Sequence, residues 1–228
     1  MTNTIAIIPA RGGSKGLPKK NSLLLNKVPL LARPIIDLQK CQLDCKIFVT
    51  TDCPELQQIA INNGADCPFL RPSALAKDLT TTEETLKYAL SQAEKYYQKD
   101  FDYCIFLTAT EVYRDPLWIK ECLNTLLEKD YLESVFIGYK TTKNYWELDQ
   151  SGNWKRLKSW MREYSSRQVR NSIIREDTGV CCASRSYLWR QGRRIGDNVE
   201  ILVKESNLQG LDIHTQFDLD LANFALSL

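Results

Sequence analysis

The amino-acid sequence predicts an α/β chain built on a mostly parallel, doubly wound sheet, with one small β-hairpin and helical insertion. The first ground is Ile5-Ala6-Ile7-Ile8, an apolar run of strand length that breaks at Pro9 into a loop rich in glycine and cations. The second is the order of the later segments: strand-like runs alternate with stretches of helical period, the pattern of parallel strands joined by crossover helices. The third lies at 145–157, which turns at Ser151-Gly152-Asn153 like a hairpin and leads into a polar, basic stretch at 158–175. A chain of 228 residues is long enough for one sizeable core, so 1–228 is expected to be a single domain with about 140–175 as its insertion.

Along the chain, Pro29 is placed to start a helix through Leu30, Leu31, Ile35, Ile36 and Leu38. KIFVTT at 46–51 reads as a second strand, after which Asp52 caps a helix through Leu56, Ile59, Ala60 and Ile61 that ends at Gly64. Cys67 to Leu70 reads as a short strand. Thr80, Thr81 or Thr82 caps the next helix, through Leu86, Tyr88, Ala89 and Leu90, with Glu83 and Glu84 in its first turn. YCIFL at 103–107 is a third long strand, and Asp115-Pro116 opens a helix through Leu117, Ile119, Leu123 and Leu126. SVFIGY at 134–139 is another strand, and VCCA at 180–183 is an apolar run behind Gly179. Leu211 to Thr215 reads as an alternating strand, followed by a helix through Phe217, Leu219, Leu221, Ala222 and Phe224.

Composition narrows the partners. A formal charge of +2 is too small for a general nucleic-acid binder, whose affinity needs a strong basic field. No apolar run approaches the roughly 18 residues of a spanning helix, and the sequence enters its first strand without a signal-peptide pattern, so no membrane association and a cytoplasmic location are expected. The eight cysteines include no C-x-x-C pair and His214 is the one histidine, which argues against zinc and for reduced core thiols.

The chemistry concentrates in Ile5 to Asn21. Gly12, Gly13 and Gly16 let backbone N–H groups come close to an anion, and Arg11, Lys15, Lys19 and Lys20 add charge-assisted donors. Together they describe a polyphosphate cradle at the carboxyl end of a strand. A Walker loop, G-x-x-x-x-G-K-S/T, is absent. The dinucleotide fingerprint G-x-G-x-x-G lacks its first glycine, whose place Arg11 takes, so an NAD-linked oxidoreductase is disfavoured, although Asp52 could approach a ribose.

The loop resembles the nucleotide-binding signature of the acylneuraminate (sialic acid) cytidylyltransferases, which join a 2-keto sugar acid to CMP from CTP. Kdo cytidylyltransferases resemble it less, because their loop lacks the Gly-Gly-Ser-Lys-Gly run. The resemblance implies a Rossmann-like nucleotidyltransferase fold, CTP and a sugar acid as partners, and a homodimer formed through the insertion. It places Arg11 and Lys15 on the triphosphate, with Ala10, Gly12, Gly13, Ser14, Lys20 and Asn21 around the nucleotide. Leu70 to Asp78 resembles the family's L-R-P-x-x-L-A-x-D, which implies that Arg71 contacts cytosine with Thr81 or Thr82 beside it.

Further along, the family's L-Q-P-T-S-P-L-R is matched at Leu107, Thr110 and Arg114, while its sugar-contacting glutamine is Thr108 and both prolines are gone. Arg167-Gln168 resembles the R-Q pair whose arginine holds the sugar carboxylate, a task that a guanidinium fork suits. Arg175 to Gly179 resembles the family's N-G-A-x-Y strand start, in the variant that carries Thr-Gly, and Arg175 is a further substrate-binding candidate. The family's D-I-D-T-x-x-D is implicated in magnesium binding. Here Asp212 matches its first aspartate and His214 replaces the second. Imidazole suits magnesium poorly, which leaves manganese open.

Overall fold

The computed structural model describes residues 3–163, 166, 168–206, 208 and 210–227. Along the chain run β1 (Thr4–Pro9), β2 (Leu24–Leu25), β3 (Val28–Pro29), α1 (Ala32–Lys40), β4 (Cys45–Thr50), α2 (Pro54–Asn62), α3 (Thr82–Tyr97), β5 (Tyr103–Phe106), α4 (Pro116–Glu128), β6 (Ser134–Thr141), β7 (Trp146–Leu148), β8 (Trp154–Arg156), β9 (Ile173–Glu176), β10 (Cys182–Arg185), α5 (Ser186–Arg190), β11 (Val199–Lys204) and α6 (Gln216–Ala225). Seven strands form the main sheet in the order β11-β6-β10-β5-β1-β4, with β9 pairing the far half of β6. Strand β1 is parallel to both β4 and β5, and β6 is parallel to β11. Only β9 and β10 run against the others.

The apolar run Ile5–Ile8 is continuous because β1 is covered on both faces. Alternate side chains go to opposite layers. Ala6 and Ile8 pack with Leu31, with Ile35 and Leu38 of α1, with Leu56 and Ala60 of α2, and with Ile119, Leu123 and Leu126 of α4. Ile5 and Ile7 pack with Leu86, Leu90 and Ala93 of α3 and with Leu188 and Trp189 of α5. A third, smaller cluster joins Leu17, Leu25 and Leu30 to Val112, Ile213, Leu219 and Ala222, tying the early loop to α6. All eight cysteines are free thiols, and six of them are buried. No helix among the described residues is long and apolar enough to cross a membrane.

Several expectations need correction. Pro29 does not start a helix. Asn26 and Lys27 both take positive φ, 50° and 66°, which closes a tight hairpin turn and commits Val28-Pro29 to pairing with Leu24-Leu25. The helix α1 therefore begins at Ala32. Asp52 does not cap α2; Cys53 stands at the cap without a side-chain bond, with Pro54 behind it. Cys67 to Leu70 is no strand, because only Asp66 bridges to Phe48. Strand β10 starts at Cys182, since 177–181 bulge out of line between β9 and β10. Leu211 to Thr215 is no strand beyond a single bridge from Asp212 to Glu111. The edge strand β11 and the short α5 went unanticipated in the sequence. The hairpin is present as β7–β8, a separate two-stranded unit turning at Gly152, φ 82°.

Candidate active site

The connection from β1 leads to β4 on one side, and β5 later fills the other side. A crevice opens where such a parallel sheet reverses its direction of winding, outside the carboxyl ends of the strands. It is a cleft of about 370 Å³ between the ends of β1 and β5, lined among others by Arg11, Lys20, Asn21, Arg71, Asp78, Thr81, Thr82 and Thr108. Seven of the residues singled out in the sequence thus share one space.

The glycine-rich loop reaches this cleft under restraint from three sides. Ala10 N–H donates to the Thr50 carbonyl (3.0 Å), and Asn21 Nδ2 donates to the Arg11 carbonyl (2.9 Å). Gly12 N–H donates to Asp52 Oδ1 (2.9 Å), so this amide is already occupied and Asp52 anchors the loop. A Cβ on Gly12 would fall 2.7 Å from Cys53 Cβ, and one on Gly16 would fall 2.7 Å from the His214 carbonyl oxygen. These two glycines permit close packing, whereas Gly13 faces open space. Gly12 and Gly13 border a second hollow of about 310 Å³ with Asp52 and Cys53. Ser14 is half-buried on the loop. Lys20 lines the cleft and donates to the Ile213 carbonyl (2.8 Å); burial lowers its pKa, and the Asp212 carboxylate opposes that shift.

Arg11 Nη1 and Lys15 Nζ converge on the two oxygens of Asp78, at 2.9 and 2.7 Å. Asp78 closes the Leu70–Asp78 motif, yet its sequence position alone gave it no role. One carboxylate here gathers two cations at the rim of the cleft, in the arrangement a phosphate would demand of them.

Arg71 is buried, and its Nε and Nη1 have no hydrogen-bond partner. Asp52 Oδ1 lies 4.0 Å from its Nη2. Buried guanidinium donors without acceptors are costly, which marks them for a ligand. Thr81 caps α3 by accepting from Glu84 N–H (3.1 Å), and Thr82 follows it in the helix, so both threonines are fixed on the cleft wall.

Beyond β5 the wall is held by Arg114. Its side chain is 1% exposed, and its Nη2 donates to the Thr108 and Gly179 carbonyls, both at 2.9 Å. It also donates from Nε to the Val180 carbonyl and pairs with Asp37 (3.3 Å). Thr108 Oγ1 donates to the Gly179 carbonyl (3.2 Å), so the residue in the glutamine's place is turned onto the backbone. Arg175 lies on β9, paired with Asp177 and placed over the Tyr139 ring (5.6 Å), outside the cleft lining. Arg167 lies outside the described residues.

Glu111 is a second group that sequence alone did not single out, although an acid in the loop that follows a buried strand was its signal. Burial first, then the charges of Asp177 and Asp212, push its carboxyl up to about 8. An unfolded glutamate titrates near ~4.3, so Glu111 holds its proton more tightly when folded and weakens the fold as pH rises from about 4.5 to about 8. Glu111→Gln is therefore expected to raise the melting temperature more at pH 8 than at pH 5. A wild-type-to-variant gap that stays constant over that range in thermal scans would show that Glu111 is ionised in the folded chain.

Asp212 bridges to Glu111 through the backbone, and its Oδ2 lies 3.1 Å from His214 Nε2. Its Oδ1 is buried with no hydrogen-bond partner. His214 is largely exposed, and its backbone N–H donates to Asp218 Oδ2 (2.9 Å) in the capping of α6. Among the described residues no group of three His, Cys, Asp or Glu side chains is placed to hold a metal. The orphan Oδ1 is a hard oxygen donor, and one such carboxylate suits a magnesium ion that takes its other oxygens from water and a phosphate chain.

Sheet order and a cationic loop at the reversal point define a nucleotide-binding α/β protein. Residues 5–206 match the cytidylyltransferase family, and the chain belongs to that family and is a nucleotidyltransferase. It is 32% identical over 225 residues to N-acylneuraminate cytidylyltransferase of Escherichia coli, covering 97% of this chain and 51% of that protein, about half its length. It is 28% identical to CMP-N,N'-diacetyllegionaminic acid synthase of Campylobacter jejuni, covering 100% of this chain and 97% of that one. In fold it is similar to CMP:2-keto-3-deoxy-manno-octonic acid synthetase complexed with CTP, with a TM-score of 0.68, 14% identity and 99% of both chains covered.

Proposed function

We propose that the chain transfers CMP from CTP to a 2-keto sugar acid, an N-acylneuraminate or related nonulosonic acid, and releases pyrophosphate. The observation that carries this reading is the cleft in which Arg71, with two unpartnered buried donors, faces the same space as Arg11 and Lys20. Arg71 reads the cytosine beside Thr81 and Thr82. Arg11 and Lys15 leave Asp78 for the triphosphate. Lys20 stays near the α-phosphate, where charge develops as the anomeric hydroxyl attacks phosphorus and the bond to pyrophosphate breaks. The protein's work is alignment and charge neutralisation. Asp212 would hold a magnesium ion, or manganese with help from His214, and such an ion supplies Lewis-acid neutralisation of the phosphates. Arg167 and Arg175 remain the cations proposed for the acid's carboxylate.

The chain acts as a homodimer through the 140–175 insertion. Support comes from the β7–β8 hairpin, where Trp146, Leu148, Trp154 and Leu157 are exposed together.

Two measurements test the function. Saturating CTP, near 100 times its dissociation constant, is expected to raise the melting temperature by roughly 5–10 °C, and NAD is expected to leave it unchanged. Pyrophosphate release is then followed with CTP and a panel comprising N-acetylneuraminic, legionaminic and pseudaminic acids and Kdo. Stabilisation by CTP without pyrophosphate from any acid, in magnesium or manganese, would overturn the proposal.

A further inference from the structure

Three consecutive residues at the end of β4 hold both halves of the nucleotide site. The Thr50 carbonyl accepts from Ala10 N–H (3.0 Å), and the Thr51 carbonyl accepts from Arg71 N–H (2.6 Å). Asp52 comes next and works through its side chain. Its Oδ1 accepts from Gly12 N–H (2.9 Å), and the same oxygen stands 4.0 Å from Arg71 Nη2. Cys53 occupies the cap of α2, so Asp52 has no duty toward that helix. Its two partners ask for different things. The Gly12 amide is a neutral donor and needs only an acceptor atom. The Arg71 side chain, 3% exposed, needs a counter-charge, and among the described residues Asp52 is the one carboxylate within 4.0 Å of it. That distance exceeds a hydrogen bond, so the attraction is between charges. Burial lowers the Arg71 pKa, and the Asp52 carboxylate opposes that shift. Asp52 borders the hollow behind the loop and not the cleft itself, so it reaches a ligand in the cleft only through Gly12 and Arg71.

We infer that Asp52 is a positioning residue that aligns Arg71 with the phosphate loop, so that one carboxylate sets both the reading of the base and the seating of the triphosphate. This rests on the proposed placement of cytosine against Arg71 and adds a group behind that site. The charge of Asp52 holds the guanidinium where its unpartnered Nε and Nη1 are available to a base, and its oxygen holds the loop backbone at the distance the phosphates require. The two tasks can be separated chemically. An amide in place of the carboxylate keeps the acceptor for Gly12 and removes the counter-charge of Arg71. A methyl group removes both.

The test is calorimetric titration with CTP and with inorganic tripolyphosphate, which carries the phosphates without the base. Asp52→Asn is expected to bind tripolyphosphate within about 2-fold of the wild type and to lose about 10-fold of the preference for CTP over tripolyphosphate. Asp52→Ala should lose that preference too and should also bind tripolyphosphate about 10-fold more weakly, because the loop is untied. In an Arg71→Gln background, Asp52→Asn should shift the preference by no more than about 2-fold, since the group it acts through is gone. A general structural defect would not depend on Arg71 in this way. A preference kept in Asp52→Asn, or lost by the same factor with and without Arg71, would overturn the inference, and so would a folded Asp52→Ala that binds tripolyphosphate like the wild type. The first two readings stand even if Asp52→Ala does not fold. A wild type that binds CTP no better than tripolyphosphate is a different result, which fails the proposed placement of cytosine itself.

Discussion

Replacing Lys15 with alanine is expected to cut turnover with CTP by about 100- to 1,000-fold while leaving the melting temperature within about 2 °C of the wild type. The two halves of this expectation have one cause. Lys15 is 80% exposed, and its partner is Asp78, which Arg11 shares. An exposed ion pair contributes little to stability, so the fold should not register its loss. The same ammonium is free to swing onto a triphosphate that carries more charge than the carboxylate it leaves. In the proposed transfer it there neutralises charge that builds up as pyrophosphate departs. Steady-state pyrophosphate release beside a circular-dichroism melt separates the two, and a Lys15→Ala enzyme with a normal rate would remove Lys15 from the mechanism.

Arg114→Met should behave in the opposite way, with a loss of about 3–5 kcal/mol of stability and a fall of roughly 10 °C in melting temperature. Arg114 is almost wholly buried and joins four groups: Asp37 and the carbonyls of Thr108, Gly179 and Val180. Removing the guanidinium strands Asp37, whose carboxyl burial already pushes up despite the cation beside it, and unties the loop after β5 from the 177–181 bulge. Because Thr108 sits on that junction, KM for the acceptor should also rise. Thermal scans of Arg114→Met and Asp37→Asn measure the effect. A stable Arg114→Met would mean that the bulge is held by the sheet alone.

Much of this molecule could be read from residue order. Ile5–Ile8 announced a central strand because burial on both faces needs an unbroken apolar run. Thr80 to Thr82 with Glu83 and Glu84, and Asp115 with Pro116, announced two helix starts because capping is local chemistry, and folding chose Thr81 as the cap of the first. The cleft was legible through Arg11, Lys20, Asn21, Arg71, Thr81, Thr82 and Thr108. What failed depended on partners distant in the chain. Asp52 looked like a cap until Gly12, forty residues earlier, took its carboxylate. Asn26-Lys27 turned without a glycine and consumed Pro29. Asp78 and Glu111 gained meaning only when folding set other charges against them. Strand β11, half-exposed at the sheet edge, carried too weak an apolar pattern to stand out.

The phosphate loop leans on residues almost two hundred positions away, through Lys20 on the Ile213 carbonyl and Gly16 against that of His214. Every strand of the sheet has been translated by Lys204. A ribosome that has just released that residue therefore holds a chain able to assemble its whole scaffold while its nucleotide loop still lacks a buttress. Catalytic competence should arrive only once Ile213 and His214 stand behind that loop.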